Sequence, residues 1–361
     1  MGTEDINMVV DGISYFNGAE KFAEKIKGRG SFVLLMGNTD TAFIPGITAA
    51  GISPELTPYT PPLDAELVET GRILTLGDIP LTPEAIPTPG LITRAVVTLS
   101  DFRRYYVDAG MTISPIVPHY RVGGVPGKDI RTGKALSNVQ EIIENAKKVG
   151  AQIASESEYL VIGESIAAGT TTALGVLLAM GQTMDGYTSS SLKVNPQSLK
   201  SSVVLEGLKK AGISQPVDPI KAIESVGDPM MAGAIGLILG AKNVPIILAG
   251  GTQMAAVVVL LSKLVDLRNF NIALATTGWV AKDSTANLFG ILKQGDADIP
   301  VMTADLSFAR SKFEGLLAYE RGHVKEGVGA GGISVAAMLK GVKKEQIEDT
   351  VEFIYSKMVG Q

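Results

Sequence analysis

Residues 159–174 read YLVIGESIAAGTTTAL, which is an apolar run, a turn with one carboxylate and a second apolar run. The pattern predicts a buried strand at 159–162, a turn at 163–169 and an apolar helix at 170–180. Because the strand shows no polar alternation, it is typical of a parallel sheet that helices cover on both faces. The segment therefore predicts one strand–turn–helix unit of an α/β protein.

The same alternation of strand and helix continues on both sides of this unit. Strands are predicted at 31–36, 96–99, 113–117, 246–249 and 271–276, and helices at 15–26, 138–150, 200–211, 218–226, 252–265, 284–293, 332–339 and 345–358. Two proline-rich segments, 52–64 and 80–89, predict extended loops. We expect an α/β fold, with a doubly wound, mostly parallel, Rossmann-like sheet in a large domain of residues 31–331 that holds the active site.

The composition excludes several kinds of chemistry. The 361 residues contain no Cys and only two His, His119 and His323, so thiolate metal sites and cysteine nucleophiles are ruled out. Neither His has a readable catalytic partner, and both are interpreted as structural. The net charge of −5 argues against nucleic-acid binding, which needs a basic patch. The uncharged run 244–261 is interrupted by Gly250 and Gly251, so it predicts a strand, a glycine turn and a helix rather than a membrane span.

Two glycine-rich segments are similar to nucleotide-binding loops but lack the required context. Residues 327–332 read GVGAGG and match G-x-G-x-x-G, yet no apolar strand precedes them and little of the chain follows. Residues 123–129 read GGVPGKD, and Asp129 stands where a phosphate-binding loop has Ser or Thr. We therefore predict neither a dinucleotide site nor a Walker-type loop.

Two carboxylates adjoin turns at which chemistry could occur. Glu164 follows the predicted strand, and Thr170 and Thr171 begin the next helix, whose N-terminus offers N–H groups to an anion. Glu326 precedes the glycine run 327–332, where a substrate could approach the backbone closely. A carboxylate in a water-poor pocket has a raised pKa and can act as a base near neutral pH. Each turn can also be interpreted as purely structural, with no role in chemistry. The sequence pattern alone does not decide between the structural and the functional interpretation.

Together the two turns resemble those of the nicotinate-nucleotide:dimethylbenzimidazole phosphoribosyltransferase family, which carries the stretches GEMGIGNTT and GEGTGA. The matching positions are Gly163, Glu164, Thr170 and Thr171 for the first stretch, and Glu326, Gly327, Gly329 and Ala330 for the second. Residues 195–200 (NPQSLK) and the helix after them resemble the lysine helix of the family. The resemblance extends from about residue 127 to residue 339, and the N-terminal third is similar to the archaeal branch.

Several positions depart from the family pattern. The family has Met, Gly and Asn at the positions of Ser165, Ile166 and Gly169, and it has Gly at the position of Lys325. Residues 249–251 (AGG) replace Asp-Gly-Phe, and residues 276–279 (TTGW) replace a Ser-His stretch. Because Met and Phe positions shape the base pocket in the family, the identity of the acceptor base stays open.

The resemblance implies an enzyme that transfers ribose 5-phosphate from nicotinate mononucleotide to a benzimidazole-type base, forming α-ribazole phosphate for the lower ligand of cobamides. It implies Glu326 as the general base, inversion at C1′, and no metal or cofactor. The implied substrate-binding residues are Glu164, Ser165, Gly169, Thr170, Thr171, Ser189, Ser190, Lys200, Gly250, Gly251, Thr276, Thr277, Lys325 and Gly327.

The resemblance also implies a small helical domain formed by the chain termini, residues 1–30 and 332–361, and a cytoplasmic homodimer. The apolar segment Pro229–Gly240 is a candidate for the dimer interface. Two alternatives stay open. A lysine beside Glu326 would weaken a base, which fits a non-catalytic nucleotide-binding or regulatory protein on the same fold. The substituted pocket fits a related transferase that uses another base.

Overall fold

The computed structural model describes residues 8–51, 53–76, 81–82, 84–183 and 187–360. Nine strands of this part of the chain form one sheet: β1 (Met8–Val10), β2 (Ile13–Phe16), β3 (Gly30–Gly37), β4 (Arg103–Gly110), β5 (Tyr120–Arg121), β6 (Tyr159–Ser165), β7 (Ile246–Ala249), β8 (Ile272–Thr277) and β9 (Val301–Ala304). Their order is β1-β2-β9-β8-β7-β6-β3-β4-β5. The pairs β1/β2 and β2/β9 are antiparallel, and the pairs from β9 to β5 are parallel. The predicted doubly wound, mostly parallel sheet is confirmed.

Helices cover both faces of the sheet. Their bounds are α1 (Ala19–Ala23), α2 (Thr60–Thr70), α3 (Gly90–Leu99), α4 (Val139–Ser155), α5 (Gly169–Ala179), α6 (Gln197–Ala211), α7 (Pro219–Val226), α8 (Pro229–Gly240), α9 (Thr252–Ser262), α10 (Gly278–Ala281), α11 (Leu288–Gln294), α12 (Glu314–Glu320), α13 (Ala330–Leu339) and α14 (Lys344–Met358). Short 3₁₀ turns occupy Asp40–Phe43, Pro54–Tyr59, Ile130–Thr132 and Leu267–Asn269.

Alternate residues of each central strand enter two separate cores. In β3, Val33 and Leu35 pack among α4–α9 and α11, whereas Phe32, Leu34 and Met36 pack among α1–α3 and α12–α14. Both sets are fully buried, which explains why the strands read as uninterrupted apolar runs. Burial of one such side chain contributes about 1.5–3 kcal/mol relative to its exposure in water.

The direction in which strands are added reverses between β3 and β6. From β3 the chain continues to β4 and β5 on one side, and β6, β7, β8 and β9 then follow in order on the other side. Open α/β sheets bind ligands beyond the carboxyl ends of their strands at such a reversal. The carboxyl end of β6 holds Glu164 and Ser165, so two predicted site residues lie there.

Predictions from residue 138 onward agree best with the structure. The strand at 246–249 has the predicted bounds, and the helices that begin at 138, 218, 252 and 345 appear within a few residues of their predicted starts. Asp218 caps α7 as expected, with its side chain accepting hydrogen bonds from the amides of Ile220 and Lys221.

Other predictions are wrong, mostly in the N-terminal third. The segment 52–64 is not an extended loop, because Pro61 and Pro62 occupy the first turn of α2, where proline fits a helix. Residues 96–99 end helix α3 instead of forming a strand, and 113–117 contain no strand. The strand β4 was not predicted, since its sequence RRYYVDAG lacks a clean apolar run. Pro80 and Pro83 of the second predicted loop, 80–89, lie outside the described residues.

The chain termini take part in the main sheet and its cover. Where a helix was predicted at 15–26, residues 13–16 form β2, and β2 pairs with β9; only the shorter α1 follows. Helix α13 packs on β7, β8 and β9, and α14 packs on α3. The division into a domain of residues 31–331 and a small helical domain of residues 1–30 plus 332–361 stays a prediction.

Helix α8 is buried inside the chain. Pro229 to Ile238 are almost completely inaccessible, and the helix packs closely against α4 and on β3 and β4. Its apolar sequence is therefore explained by the core, and the suggestion that it supplies a dimer interface is wrong. None of the helices that the described residues form has the length and hydropathy needed to cross a membrane.

Candidate active site

A cavity of about 210 Å³ lies at the carboxyl end of β6, beside the point at which the strand order reverses. One part of its wall is polar and includes Glu164, Glu326, Ser189 and Ser190. The wall also has many apolar side chains, which are those of Ile47, Leu56, Leu63, Leu76, Leu81, Ile86, Ile166, Val280 and Val324. A cavity with this mixed wall suits a ligand that joins a polar portion to a flat apolar one.

Glu326 stands at the polar wall and is held by hydrogen bonds to both oxygens of its carboxylate. Oε2 accepts from the Thr276 hydroxyl at 3.0 Å and from the Thr277 amide at 2.9 Å. Oε1 accepts from the amides of Gly327 at 3.2 Å and Gly331 at 3.1 Å. The side chain is only partly buried, because it lines the cavity. Glu326 is therefore fixed in orientation and open to a ligand.

The loop after Glu326 depends on glycine. Gly327 and Gly329 have φ angles of +147° and +72°, and Gly329 is the N-cap residue of α13. A Cβ placed on Gly163 of β6 would lie 2.8 Å from the Cα of Gly329, so the two backbones touch. The Val328 amide also donates to the Glu164 carbonyl at 2.8 Å. These contacts bring the two predicted carboxylates, 162 positions apart in sequence, to one cavity.

Burial raises the pKa of Glu326 to about 6, although the four hydrogen bonds to its carboxylate lower it. A carboxylate with this pKa is mostly ionised at neutral pH and is a stronger base than one in water. Its position at the cavity wall gives it access to a proton of a bound ligand.

Glu164 is more deeply buried than Glu326. Burial, followed by the negative charges of Glu326, Asp228 and Asp64, raises its pKa to about 8. Nε2 of Gln253 donates to Oε2 of Glu164 at 3.4 Å, and a hydrogen bond from the Ile166 amide opposes the rise in pKa. Glu164 is therefore mostly protonated at pH 7 and can donate a hydrogen bond into the cavity.

Lys325 is directed away from Glu326. Its ammonium forms an ion pair with Asp283 at 3.2 Å and donates to the Gly322 carbonyl at 3.1 Å, and both charged side chains are 5% exposed. The pKa of Glu326 is governed by burial and by its four hydrogen bonds. This geometry removes the reason for expecting Lys325 to weaken the base.

Residues 189–191 form the part of the polar wall next to this ion pair. The Ser189 hydroxyl donates to Asp283 at 2.6 Å, and the Ser189 amide donates to the Thr252 hydroxyl at 3.0 Å. Lys200 is fully buried behind the segment, and its ammonium donates to the carbonyls of Thr188 and Ser189 at 3.0 and 2.8 Å. Burial lowers the pKa of Lys200 to about 7. Lys200 thus supports the serine segment instead of lining the cavity.

The N-termini of α5 and α9 meet at the cavity. Gly169 and Thr170 begin α5, and Thr252 and Gln253 begin α9. A Cβ on Gly169 would collide with the side chain of Gln253, which shows how closely the two helices approach. Helix N-termini carry free N–H groups and a partial positive charge, so this corner favours an anion.

The structure brings most of the predicted residues to the cavity. Those that line it are Glu164, Ser165, Gly169, Thr170, Ser189, Ser190, Gly251, Lys325, Glu326 and Gly327. Five others do not line it: Thr171, Lys200, Gly250, Thr276 and Thr277. Thr276 and Thr277 act through Glu326, whereas Thr171 is fully buried in α5.

Sequence reasoning missed several residues of the wall. Asp64, Thr88, Thr252, Gln253 and Ser191 all line the cavity, as do residues 47–51. Asp64 was missed because its segment reads as a proline-rich loop, although it lies on α2. Gln253 carried a usable signal, since it opens the helix after the glycine turn at residues 250–251. Among the residues that the structure describes, no three His, Asp or Glu side chains are arranged to hold a metal ion.

Comparisons with known proteins agree on one family. A family model described as "Phosphoribosyltransferase" matches residues 95–277. A "UPF0284 protein" of Sulfolobus acidocaldarius is 41% identical over 335 residues, which are 92% of this chain and 96% of the relative. The crystal structure of CobT from Thermus thermophilus has a TM-score of 0.59 at 15% identity, over 95% of this chain and 92% of that chain. A nicotinate-nucleotide-dimethylbenzimidazole phosphoribosyltransferase structure from the same organism gives 0.57 at 14% identity, with 95% and 92% covered. At these identities the two structures show a shared fold.

Proposed function

The chain belongs to the CobT-like phosphoribosyltransferase family, and we propose that it transfers ribose 5-phosphate from nicotinate mononucleotide to a benzimidazole-type base, with Glu326 as the general base. The observation that carries the proposal is the carboxylate of Glu326, which four hydrogen bonds fix at the wall of a half-apolar cavity. The name of one structural neighbour supplies the two substrates.

In the proposed reaction, Glu326 removes the ring N–H proton of the acceptor azole. The other ring nitrogen attacks C1′ of the ribose with its lone pair, and a new C1′–N bond forms. The bond from C1′ to the nicotinate nitrogen breaks, and its electron pair stays on that nitrogen. Because the leaving ring starts as a cation, it departs neutral at the ring nitrogen and needs no acid. Attack from the opposite face converts the β-nucleotide into an α-nucleotide.

The apolar wall supports an aromatic acceptor. Leu63, Ile86 and Val324 are nearly buried side chains on three separate segments of the chain, and all three line the cavity. A flat bicyclic ring that covers such side chains displaces water from apolar surface, which contributes roughly 25 cal/mol per Å². Contacts with these apolar side chains therefore contribute to binding of the base, and they leave its N–H group free to contact Glu326.

The polar corner supports the phosphate and ribose. The hydroxyl of Ser190 and the N-termini of α5 and α9 can donate hydrogen bonds to phosphate oxygens. An ionised Glu164 would repel the phosphate, but its pKa of about 8 leaves it mostly neutral at pH 7. We infer that Glu164 binds a ribose hydroxyl as a neutral acid. A cytoplasmic homodimer stays part of the proposal as a prediction.

The test is an assay of nicotinate release. The protein is incubated with nicotinate mononucleotide and a panel of bases, and both nicotinate and the new nucleotide are quantified by chromatography and mass spectrometry. Release that depends on the base, with an α-configured product by NMR, supports the transfer reaction. Binding without release would favour a non-catalytic protein, and release without any base would indicate a hydrolase.

The Glu326→Gln variant tests the assigned base. General-base catalysis typically contributes 10²–10⁴-fold, so we expect kcat to fall by at least about 10²-fold. Glu348→Gln is the matched control, since Glu348 also accepts a backbone amide bond, from Ser307 at 2.7 Å, but lies outside the cavity. If Glu326→Gln and the control turn over equally fast, Glu326 is not the base.

A further inference from the structure

Asp64 is a buried carboxylate in the wall of the same cavity, and the reaction described above leaves it without a role. It lies in α2 with only 1% of its surface exposed. Its Oδ2 accepts a hydrogen bond from the Ser165 hydroxyl at 2.7 Å, and its Oδ1 accepts one from the Thr88 hydroxyl at 2.7 Å. Both donors also line the cavity.

The surroundings of Asp64 offer it little compensation for burial. Burial raises its pKa to about 6, and the groups that oppose this shift are the two neutral hydroxyls of Ser165 and Thr88. The adjacent wall is apolar, with Leu63 and Ile86 among its side chains. A charged group in such a place is costly unless further donors reach it.

The carboxylate has unused capacity to accept hydrogen bonds. Two carboxylate oxygens provide about four lone-pair positions, and the two hydroxyls occupy two of them. Asp64 borders the cavity, so a bound ligand would reach one of the remaining positions through the 1% of the residue's surface that is exposed. A ligand that placed a methyl group there would leave a buried acceptor unsatisfied, whereas a donor would satisfy it.

Asp64 and Glu326 both line the cavity. The turn of residues 88–90 is close to both segments: a Cβ on Gly90 would lie 3.3 Å from Oδ1 of Asp64, and a Cβ on Gly327 would lie 3.6 Å from Pro89. Both carboxylates also raise the pKa of Glu164 through their charge. A bicyclic ring whose N–H meets Glu326 can therefore direct a substituent of its other ring towards Asp64.

We propose that Asp64 is a specificity-determining residue that accepts a hydrogen bond from the acceptor base, and that the preferred base is an aromatic azole with a hydroxyl or amino substituent besides its ring N–H. The proposal rests on the transferase function argued above. It replaces the dimethyl-substituted base of the structural neighbour's name with one that carries a donor.

The first experiment compares bases on the unaltered protein. The probes are 5-hydroxybenzimidazole, 5-aminobenzimidazole, 5-methoxybenzimidazole and 5,6-dimethylbenzimidazole, each with nicotinate mononucleotide. Sites built to hydrogen-bond a substrate donor discriminate strongly against analogues that lack it. We expect kcat/KM to be at least about tenfold higher for the hydroxyl or amino base than for the methoxy and dimethyl bases. Equal rates, or a preference for the dimethyl base, would overturn the proposal.

The second experiment assigns the preference to Asp64. In Asp64→Leu the ratio of kcat/KM for the hydroxyl base to that for the dimethyl base should fall to about one or below. In Ser165→Ala the acceptor is kept and one competing donor is lost, so the ratio should stay at least as high as in the wild type. A hydroxyl preference that persists in Asp64→Leu overturns the assignment.

Calorimetric titration of the same bases separates this proposal from the proposed function. If no base gives nicotinate release, the transferase proposal has failed, while tighter binding of the hydroxyl base than of the methoxy base would still support Asp64. If nicotinate is released at equal rates with all four bases, the transferase proposal is supported and the role of Asp64 is overturned. Because the wild-type comparisons need no substitution, a misfolded Asp64→Leu variant leaves the proposal testable.

Discussion

The backbone amide of Thr277 donates a hydrogen bond to Oε2 of Glu326 at 2.9 Å. The Thr277 hydroxyl donates to the carbonyl of Lys325, the residue before Glu326, at 2.5 Å. Thr277 ends β8, so the central sheet itself holds the loop that carries the proposed base. The orientation of the carboxylate is thereby tied to the end of a central strand. Side chains at this strand end should therefore alter the chemistry without touching the substrate.

Thr276→Val should move the acid limb of the pH–rate profile to higher pH. The Thr276 hydroxyl donates to Oε2 of Glu326 at 3.0 Å and lowers its pKa, which burial has raised to about 6. A hydrogen bond to a charged group contributes about 1.5–3 kcal/mol, so its loss should raise the pKa by about one to two units. Activity that needs the ionised form then disappears at a correspondingly higher pH. The measurement is kcat/KM from pH 5 to pH 8.

Thr303→Val is the control for this shift. Thr303 is a buried threonine of the neighbouring strand β9, and its hydroxyl donates to Asp305 at 3.3 Å, outside the cavity. We expect its acid limb to match that of the wild type. An unmoved limb in Thr276→Val would show that Glu326 does not control the profile.

Lys325→Met should reduce stability and leave the acid limb in place. The ammonium pairs with Asp283, and loss of one partner of a buried ion pair typically costs about 3–5 kcal/mol. Burial raises the pKa of Asp283, but Ser189, Thr285 and Lys325 outweigh it and hold that pKa below its usual value. Urea unfolding measures the stability of the variant, and the acid limb of its pH–rate profile reports the pKa of Glu326.

Lys282→Met is the matched control, because its side chain is 76% exposed and pairs loosely with Asp305 at 3.6 Å. Exposed pairs contribute about 0–1 kcal/mol, so its unfolding midpoint should hardly change. An acid limb that moves upward in Lys325→Met would mean that the ammonium does act on Glu326, against the observed geometry.

The sequence predicts best what is local. β7 has the predicted bounds because its four consecutive apolar residues are typical of a buried parallel strand. Such a strand can be predicted without knowing which strands lie next to it. Glu164 and Glu326 could be singled out because each adjoins a turn whose glycines and threonines carry a local signal. α2 could not be recognised, since Pro61 and Pro62 have the same local preference in a loop and in a first helical turn.

The sequence does not predict contacts between distant segments. Asp64 meets Ser165 across 101 positions, and neither residue has a neighbour in the sequence that indicates the other. Lys325 was expected beside Glu326 because the two are adjacent in the chain. Successive side chains need not share a direction, and a buried partner, Asp283, decides where this ammonium points.

Gly163→Ala should destabilise the protein and lower kcat together. The new Cβ would lie 2.8 Å from the Cα of Gly329, and neither backbone can yield without moving Glu164 or the loop after Glu326. Overpacking typically costs about 1–3 kcal/mol, and a backbone shift here displaces the proposed base. In the control, Gly124→Ala, nothing lies within 4 Å of the new Cβ, so stability and turnover should stay close to wild type. Full activity in Gly163→Ala would show that the contact is not needed.

Glu164→Gln should make stability less dependent on pH between about pH 4.5 and pH 8. The pKa of Glu164 is 4.5 in its ordinary state and about 8 in the fold, mainly through burial, so the folded protein binds an extra proton in this window. A raised folded pKa gives stability that is complete below pH 4.5 and is lost as pH rises through 8. The loss approaches about 1.4 kcal/mol per pH unit for one proton.

Glutamine cannot ionise, so the variant escapes this loss. The difference in unfolding free energy between Glu164→Gln and the wild type should grow in favour of the variant from pH 5 to pH 8, as measured by urea unfolding at each pH. Glu144 lies on the exposed face of α4. For Glu144→Gln, the unfolding free energy should depend on pH as it does in the wild type. Parallel curves for Glu164→Gln would mean that Glu164 is ionised in the fold. It would then oppose the phosphate, and the ribose-binding role of a neutral acid would have to be abandoned.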